Sequence, residues 1–167
     1  MKNKDKKRTL FQKELLKFTS SKTGAKIASR ILPPLDKTIL KYTNNRSSLT
    51  SFLSGIPVIV LTTIGAKSGK LRRVPLLGLL KGEDVFLIAS NWGQARHPSW
   101  YYNLKANPKA QLSIRGEEGN YIARNATDTE REAYWAEAVE VYPGYALYKK
   151  RIKTRKIPML ILSPIRK

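Results

Sequence analysis

The sequence predicts an α+β, mainly β chain: a small antiparallel barrel of about six strands with peripheral helices, preceded by a basic helical arm. Three observations carry that expectation. From Ile56 onward the chain breaks into short β-branched and aliphatic runs separated by Gly, Asn and Pro. Few helical segments fall between those runs, which favours antiparallel neighbours, since parallel strands need long crossovers. The first 50 residues differ in kind, with 13 Lys and Arg against 3 Asp and Glu. The expected division is a basic amphipathic arm and connector over 1–50 and a barrel over 51–167.

Within the arm, Leu10, Phe11, Leu15 and Phe18 recur at helical spacing, with Lys6, Lys7, Lys13 and Lys17 between them. This is the pattern of a basic amphipathic helix. Its apolar stripe suits an anionic membrane surface, or docking on the body of the protein or on a second subunit. Residues 25–32 read as a short helix that Pro33-Pro34 should stop, because a proline ring clashes with the preceding turn and lacks a donor. A further helix over 35–42 leads into Asn44-Asn45 and a Ser-rich connector.

In the body, residues 57–63, 71–80 and 85–90 read as three strands of a meander, the last two joined by Lys81-Gly82-Glu83-Asp84. Pro98 opens a short helix, where a missing donor costs nothing, and Asn107-Pro108 ends it. Residues 110–115 and 120–124 flank Gly116-Glu117-Glu118-Gly119 as a hairpin. Thr127 and Glu130 form a capping box for a helix through Val141, with Ala133, Tyr134, Ala138 and Val141 facing inward. Tyr142-Pro143-Gly144 breaks it, and a short helix through Lys153 and a strand over 157–162 complete the chain.

Composition narrows the function. Thirty-two Lys and Arg against 12 Asp and Glu give a formal charge of +20 over 167 residues, beyond what solubility requires, so an anionic partner is expected. Nucleic acid, a membrane surface and a polyanionic cofactor all meet that description. The chain has no cysteine and one histidine, His97, which removes disulfides, thiol nucleophiles and a histidine zinc site. No metal is expected. Carboxylates are too sparse for a glycosidase pair or a magnesium cage. No apolar run approaches the roughly 18 residues of a membrane span. The expectation is a cytoplasmic protein that can sit peripherally on the inner face of the membrane.

Three constellations can carry chemistry. Gly65-Ala66-Lys67-Ser68-Gly69-Lys70, followed by Arg72 and Arg73, offers glycines that let backbone amides approach an anion and cations that hold it. It lacks the spacing of a nucleotide-hydrolase phosphate loop, and a solvated hairpin loop explains it as well. Ser90-Asn91-Trp92-Gly93, with Trp100, Tyr101, Tyr102 and Asn103 on the next helix, joins flat aromatic faces to amide and hydroxyl donors. That set suits a planar heteroaromatic ligand, or a core. Tyr142, Tyr145 and Tyr148, at spacing three, make either one wall of an apolar pocket or plain packing. The tool set is cationic, hydroxylic and aromatic, which suits holding an anionic cofactor that does the chemistry.

In chain order, the segment from Leu61 to Gly69 with Arg72, Ala89-Ser90-Asn91, the run from His97 to Pro108, Ala126-Thr127-Asp128 with Tyr134-Trp135, and the run from Tyr142 to Tyr148 resemble the deazaflavin-dependent nitroreductases. These are split β-barrel proteins that use the reduced 5-deazaflavin coenzyme F420. The resemblance spans residues 58–164. It implies a hydride donor in a groove of the barrel, with phosphate and polyglutamate tail led over cations. By matching position, Lys67, Ser68 and Arg72 hold the phosphate or tail, and Val74, Pro75, Leu76 and Leu77 line the deazaflavin. Ala89, Ser90 and Asn91 stand at the end of the third strand, and Trp100, Tyr101 and Asn103 close the cofactor site. Tyr145, flanked by Tyr142 and Tyr148, borders the substrate, and the proton would come from solvent or a tyrosine. Ser90 lies near the reacting ends.

The sequence departs from the family pattern at Ala66, Leu71 and Asn91, where Arg, Pro and Lys are usual, and Lys70 and Arg73 are the expected replacements for the lost charge. The implied activity is a reductase passing hydride from reduced F420 to a small electron-poor acceptor such as a quinone, enone or nitro compound, at the membrane surface through residues 1–30. The alternatives are a split-barrel protein that binds FMN or another ligand, and a basic nucleic-acid-binding protein without catalysis. The last is disfavoured because no nucleic-acid motif is present. The oligomeric state is left open.

Overall fold

The computed structural model describes residues 8–166. Strands β1 (Val58–Ile64), β2 (Leu71–Lys81), β3 (Asp84–Ile88), β4 (Lys109–Ile114), β5 (Glu117–Asn125) and β6 (Met159–Pro164) close one antiparallel barrel. Its order is β1-β2-β3-β6-β5-β4, with β4 pairing back to β1 through Ile59↔Ile114 to Thr62↔Gln111. The expected meander is the β1-β2-β3 edge of this barrel. Inside it, Ile59, Leu61, Val85, Leu87, Leu112, Leu160 and Leu162 meet Trp100 and Leu104 of helix α4 (Ser99–Ala106). The alternate residues Phe86, Ile88, Met159 and Ile161 form a second core under the helices. β3 and β6 are thus buried on both faces, which is why they read as continuous apolar runs.

The barrel is split along β2. β3 pairs only with Gly78 to Lys81, so the first half of β2 is hydrogen-bonded on one side alone, to β1. Pro75, which has no N–H to offer a second neighbour, sits in that singly paired stretch, where a strand tolerates it. The free edge opens toward the end of β3 and positions the site.

Helices α1 (Leu10–Ser20), α2 (Lys22–Tyr42) and α3 (Leu49–Ser54) precede the barrel, and α5 (Asp128–Val141) and α6 (Gly144–Arg151) cover its flank. The expected break at Pro33-Pro34 does not occur: α2 runs unbroken through both prolines. Ala25, Ala28, Asp36 and Leu40 form one buried stripe that continues across them. Packing of that stripe outweighs the roughly 3 kcal/mol or more that an interior proline costs. The freed carbonyls belong to Arg30, which is exposed, and Ser29, which is half-buried.

α1 also turns a different face inward from the one its hydrophobic pattern suggests. Leu16, Thr19 and Ser20 are buried, whereas Leu10, Phe11 and Phe18 are 81, 65 and 49% exposed. The polar pair is buried without loss because both hydroxyls donate to the Leu16 carbonyl, at 3.2 and 2.6 Å. Their own carbonyls are taken from the far end of the chain, by Tyr148 Oη and Arg151 Nη2 at 3.1 and 3.0 Å. Lys6 and Lys7 lie outside the described residues.

The capping box of α5 forms as expected, but Ala133 faces solvent while Ala138 is its buried residue. The β4–β5 hairpin turns at Arg115-Gly116, with Glu117 and Glu118 already in the strand. Both turn residues have positive φ, 55° and 90°, the two-residue turn whose twist matches the strands. No described helix is long and apolar enough to cross a membrane, and the described residues contain no His, Cys, Asp or Glu cluster suited to a metal.

Candidate functional site

Two cavities meet at the split. The larger is an open polar groove of about 1240 Å³, lined by Lys67, Ser68, Arg72, Arg96, His97 and Lys105 with Thr63 and Asn103. No described acidic residue lines it. The smaller is an apolar cavity of about 200 Å³ between the free edge of β2, the end of β3 and the helices. Val74, Pro75, Leu76, Leu77, Ser90, Asn91, Trp100, Tyr142, Tyr145 and Tyr148 all line it. Val74, Asn91, Pro98 and Trp100 line both, so the two spaces adjoin.

The loop from Gly65 to Lys70 is held from within and by Asn103 of α4. The Asn103 side chain donates to Thr63 Oγ1 at 3.0 Å and accepts from the Ala66 amide at 3.0 Å. Gly65, Ser68 and Gly69 amides are spent on carbonyls of the loop itself. The expected cradle of backbone amides is therefore largely used up, which leaves the side chains of Lys67, Ser68 and Arg72 lining the groove. Asn103 lines the groove and holds this loop as well. Asn103→Ala leaves a buried hydroxyl and the Ala66 amide without partners, and we expect it to cost about 2 kcal/mol of unfolding free energy in a urea melt. The expected replacement cations, Lys70 and Arg73, do not line the groove, and Arg73 faces Glu118 at 3.9 Å. Arg96 and Lys105, which the sequence reading missed, do line it.

The three tyrosines converge although Tyr142 precedes α6 rather than lying on it. Gly144 permits this, since a Cβ there would stand 2.4 Å from the Tyr142 ring. Tyr142 and Tyr145 pack edge to face at 5.1 Å. Tyr148 Oη donates to the Thr19 carbonyl, which can only accept, so the 2.8 Å contact between Tyr142 and Tyr148 has Tyr142 as donor. Those two phenols are committed. Tyr145 lines the cavity, and its Oη has no hydrogen-bond partner among the described residues. Burial first, then the neighbouring Tyr142, push its pKa well above 10, so the phenol stays protonated.

At the end of β3, Ser90 lines the apolar cavity, while Ala89 is fully buried and reaches neither space. Tyr101 also lines neither; it packs in the barrel core and tilts against His97 at 4.8 Å. Asn91, Trp92 and Gly93 are consecutive left-handed residues with φ of 50, 56 and 75°. A non-glycine residue there costs about 1–2 kcal/mol. The apolar cavity also has a wall that sequence reasoning assigned elsewhere: Leu15, Leu16 and Thr19 of α1, and Leu32, Pro33 and Asp36 of α2. Asp36 is buried, and its carboxylate accepts from the amide and the hydroxyl of Thr50.

Residues 36–164 match the family model of the F420H(2)-dependent quinone reductases. The chain belongs to that family. An F420H(2)-dependent quinone reductase of Mycobacterium tuberculosis is 30% identical over 110 residues, covering 64% of this chain and 73% of that protein. A solved F420-H2 dependent reductase is 41% identical, with a TM-score of 0.59 over 64% of this chain and 94% of its own. A second structure, a domain-swapped dimer, is 37% identical with a TM-score of 0.62, over 76% of this chain and 92% of its own. Membership makes the chain an oxidoreductase dependent on coenzyme F420, with the split barrel of that group, and the cationic groove without acids fits the coenzyme's anionic tail.

Proposed function

We propose that the chain reduces a quinone-type acceptor bound in the apolar cavity, with F420 held across the junction of the two spaces. Lys67, Ser68 and Arg72, joined by Arg96 and Lys105, hold the phosphate and carboxylate groups of the coenzyme. Val74, Pro75, Leu76, Leu77, Ser90, Asn91 and Trp100 border its ring system. The reduced coenzyme supplies hydride when bound. Hydride addition to a quinone leaves a hydroquinone anion that needs one proton, and Tyr145, with Tyr142 and Tyr148 beside it, presents the one uncommitted phenol in the cavity wall. The apolar lining keeps water from that step, and the Ser90 hydroxyl offers a second contact to the acceptor oxygen.

The observation that carries this reading is that a cationic groove lined by no described acid adjoins a cavity bearing a phenol without a partner among the described residues. Anaerobic mixing of protein, reduced F420 and a naphthoquinone should oxidise the coenzyme stoichiometrically. No oxidation with any quinone, enone or nitro compound overturns it. FMN is the control cofactor for that experiment, chosen because the chain departs from the family pattern at Ala66, Leu71 and Asn91.

A second reading concerns place. The exposed Leu10, Phe11 and Phe18, with Lys13 and Lys17 on the same helix and exposed Phe52 on α3, favour peripheral attachment to an anionic leaflet. Deleting residues 1–30 would also remove part of the cavity wall, so surface substitution is the cleaner test. Leu10→Ser, Phe11→Ser and Phe18→Ser together should abolish sedimentation with phosphatidylglycerol vesicles without changing F420 affinity, and retained sedimentation contradicts the reading.

A further inference from the structure

We infer that Arg155 is a positioning residue for the reaction: its guanidinium fixes the wall between the two cavities and so sets how coenzyme and acceptor face each other. The inference rests on the reading of the cavities given above. Arg155 lies between α6 and β6, is half-buried, and lines neither space. Its donors fan out over one stretch of chain. Nη1 reaches the Ala89 carbonyl at 3.1 Å, Nη2 the Ser90 carbonyl at 2.9 Å and the Gln94 carbonyl at 3.0 Å, and Nε approaches Gln94 at 3.3 Å. Nη1 also stands 3.0 Å from His97 Nδ1.

That stretch is the wall itself. Ser90, Asn91 and Trp92 line the apolar cavity, and Asn91, Gln94, Arg96 and His97 line the groove. It contains the three left-handed residues, a conformation that persists only where the surroundings over-determine it. Its local bonds are few: Ser90 N to the Ile88 carbonyl, Gly93 N to the Ser90 carbonyl, Gln94 N to the Asn91 carbonyl, and Asn91 Nδ2 to the Arg96 carbonyl. Arg155 ties both ends of the turn, at Ala89-Ser90 and at Gln94 and His97, to the connector that leads into β6. On the opposite side the turn packs against Tyr148, where a Cβ on Gly93 would stand 2.9 Å from the ring. Displacement of the turn therefore moves the groove and the tyrosine wall together.

Arginine is the residue this task needs. A planar fork of five donors can satisfy three carbonyls and an imidazole at once, whereas an ammonium is a point charge with three. Because arginine only donates, the contact also fixes neutral His97 as the Nε2–H tautomer, with Nδ1 accepting. Burial and the charges of Arg155 and Lys105 hold the His97 pKa below its ordinary 6.5, in keeping with that role.

Arg155→Lys and Arg155→Met test the inference. In both variants F420 Kd, read by quenching of coenzyme fluorescence, should rise about tenfold, and kcat at saturating coenzyme should fall about tenfold. Hydrogen exchange of the 90–97 amides in the free protein should accelerate, with the barrel strands unchanged. A melting temperature near wild type with Kd, kcat and loop exchange unchanged overturns the inference, as does a lysine variant that recovers wild-type values. If wild type does not bind F420, the cavity reading fails instead, and loop exchange still reports whether Arg155 holds the turn.

Discussion

Tyr145→Phe is expected to lower kcat for quinone reduction by about a hundredfold, in the range that a positioned proton donor supplies, with F420 Kd unchanged within about twofold. The substitution keeps the ring that packs against Tyr142 and Trp135, at 5.1 and 6.4 Å, and strands no partner, because the phenol has none among the described residues. Loss of turnover without loss of stability or coenzyme affinity is therefore the signature of the hydroxyl. The wild-type pH profile supplies a second check. Burial raises this pKa above its ordinary 10, so the phenol remains a donor, and no alkaline fall in kcat from Tyr145 is expected below about pH 10. An unchanged kcat in the variant removes Tyr145 from the mechanism.

The second large effect belongs to the groove. Lys67→Ala and Arg72→Ala should each raise F420 Kd about tenfold, and together about a hundredfold, since each removes a charge-assisted contact to an anionic tail. Turnover at saturating coenzyme should hold. Both side chains are exposed and neither has an ion-pair partner among the described residues, so unfolding free energy should stay within about 0.5 kcal/mol. The loss should shrink as salt is added, because exposed charges are screened. A double variant that binds F420 as wild type does at low salt places the tail elsewhere.

Where the fold follows from local rules, the sequence already shows it. The buried β-branched runs become β1, β3 and β6, and Thr127 with Glu130 caps α5. The groups around Lys67 to Leu77, Ser90 and the tyrosines do come together at one split, although Ala89 and Tyr101 reach neither cavity. Readings failed where a distant partner outweighed a local preference. Pro33-Pro34 end a helix unless a buried stripe carries it through, and α2 has that stripe. The face of α1 was chosen by its apolar residues, yet Thr19 and Ser20 go inward because Tyr148 and Arg151 take their carbonyls. Arg155 gave no signal at all: it bonds residues about 60 positions away through their backbone, which leaves no side-chain pattern to read. Arg96 and Lys105 looked like surface charge until the fold placed them beside Lys67 and Arg72.

The most direct test is a pair of fluorescence titrations of the purified protein, with F420 and with FMN, at moderate salt. Tight binding of F420, weakening as salt rises, with no saturable FMN binding, is the predicted result. Saturable FMN binding with none of F420 contradicts the account, and would mean that Ala66, Leu71 and Asn91 mark a change of cofactor that Arg96 and Lys105 do not offset.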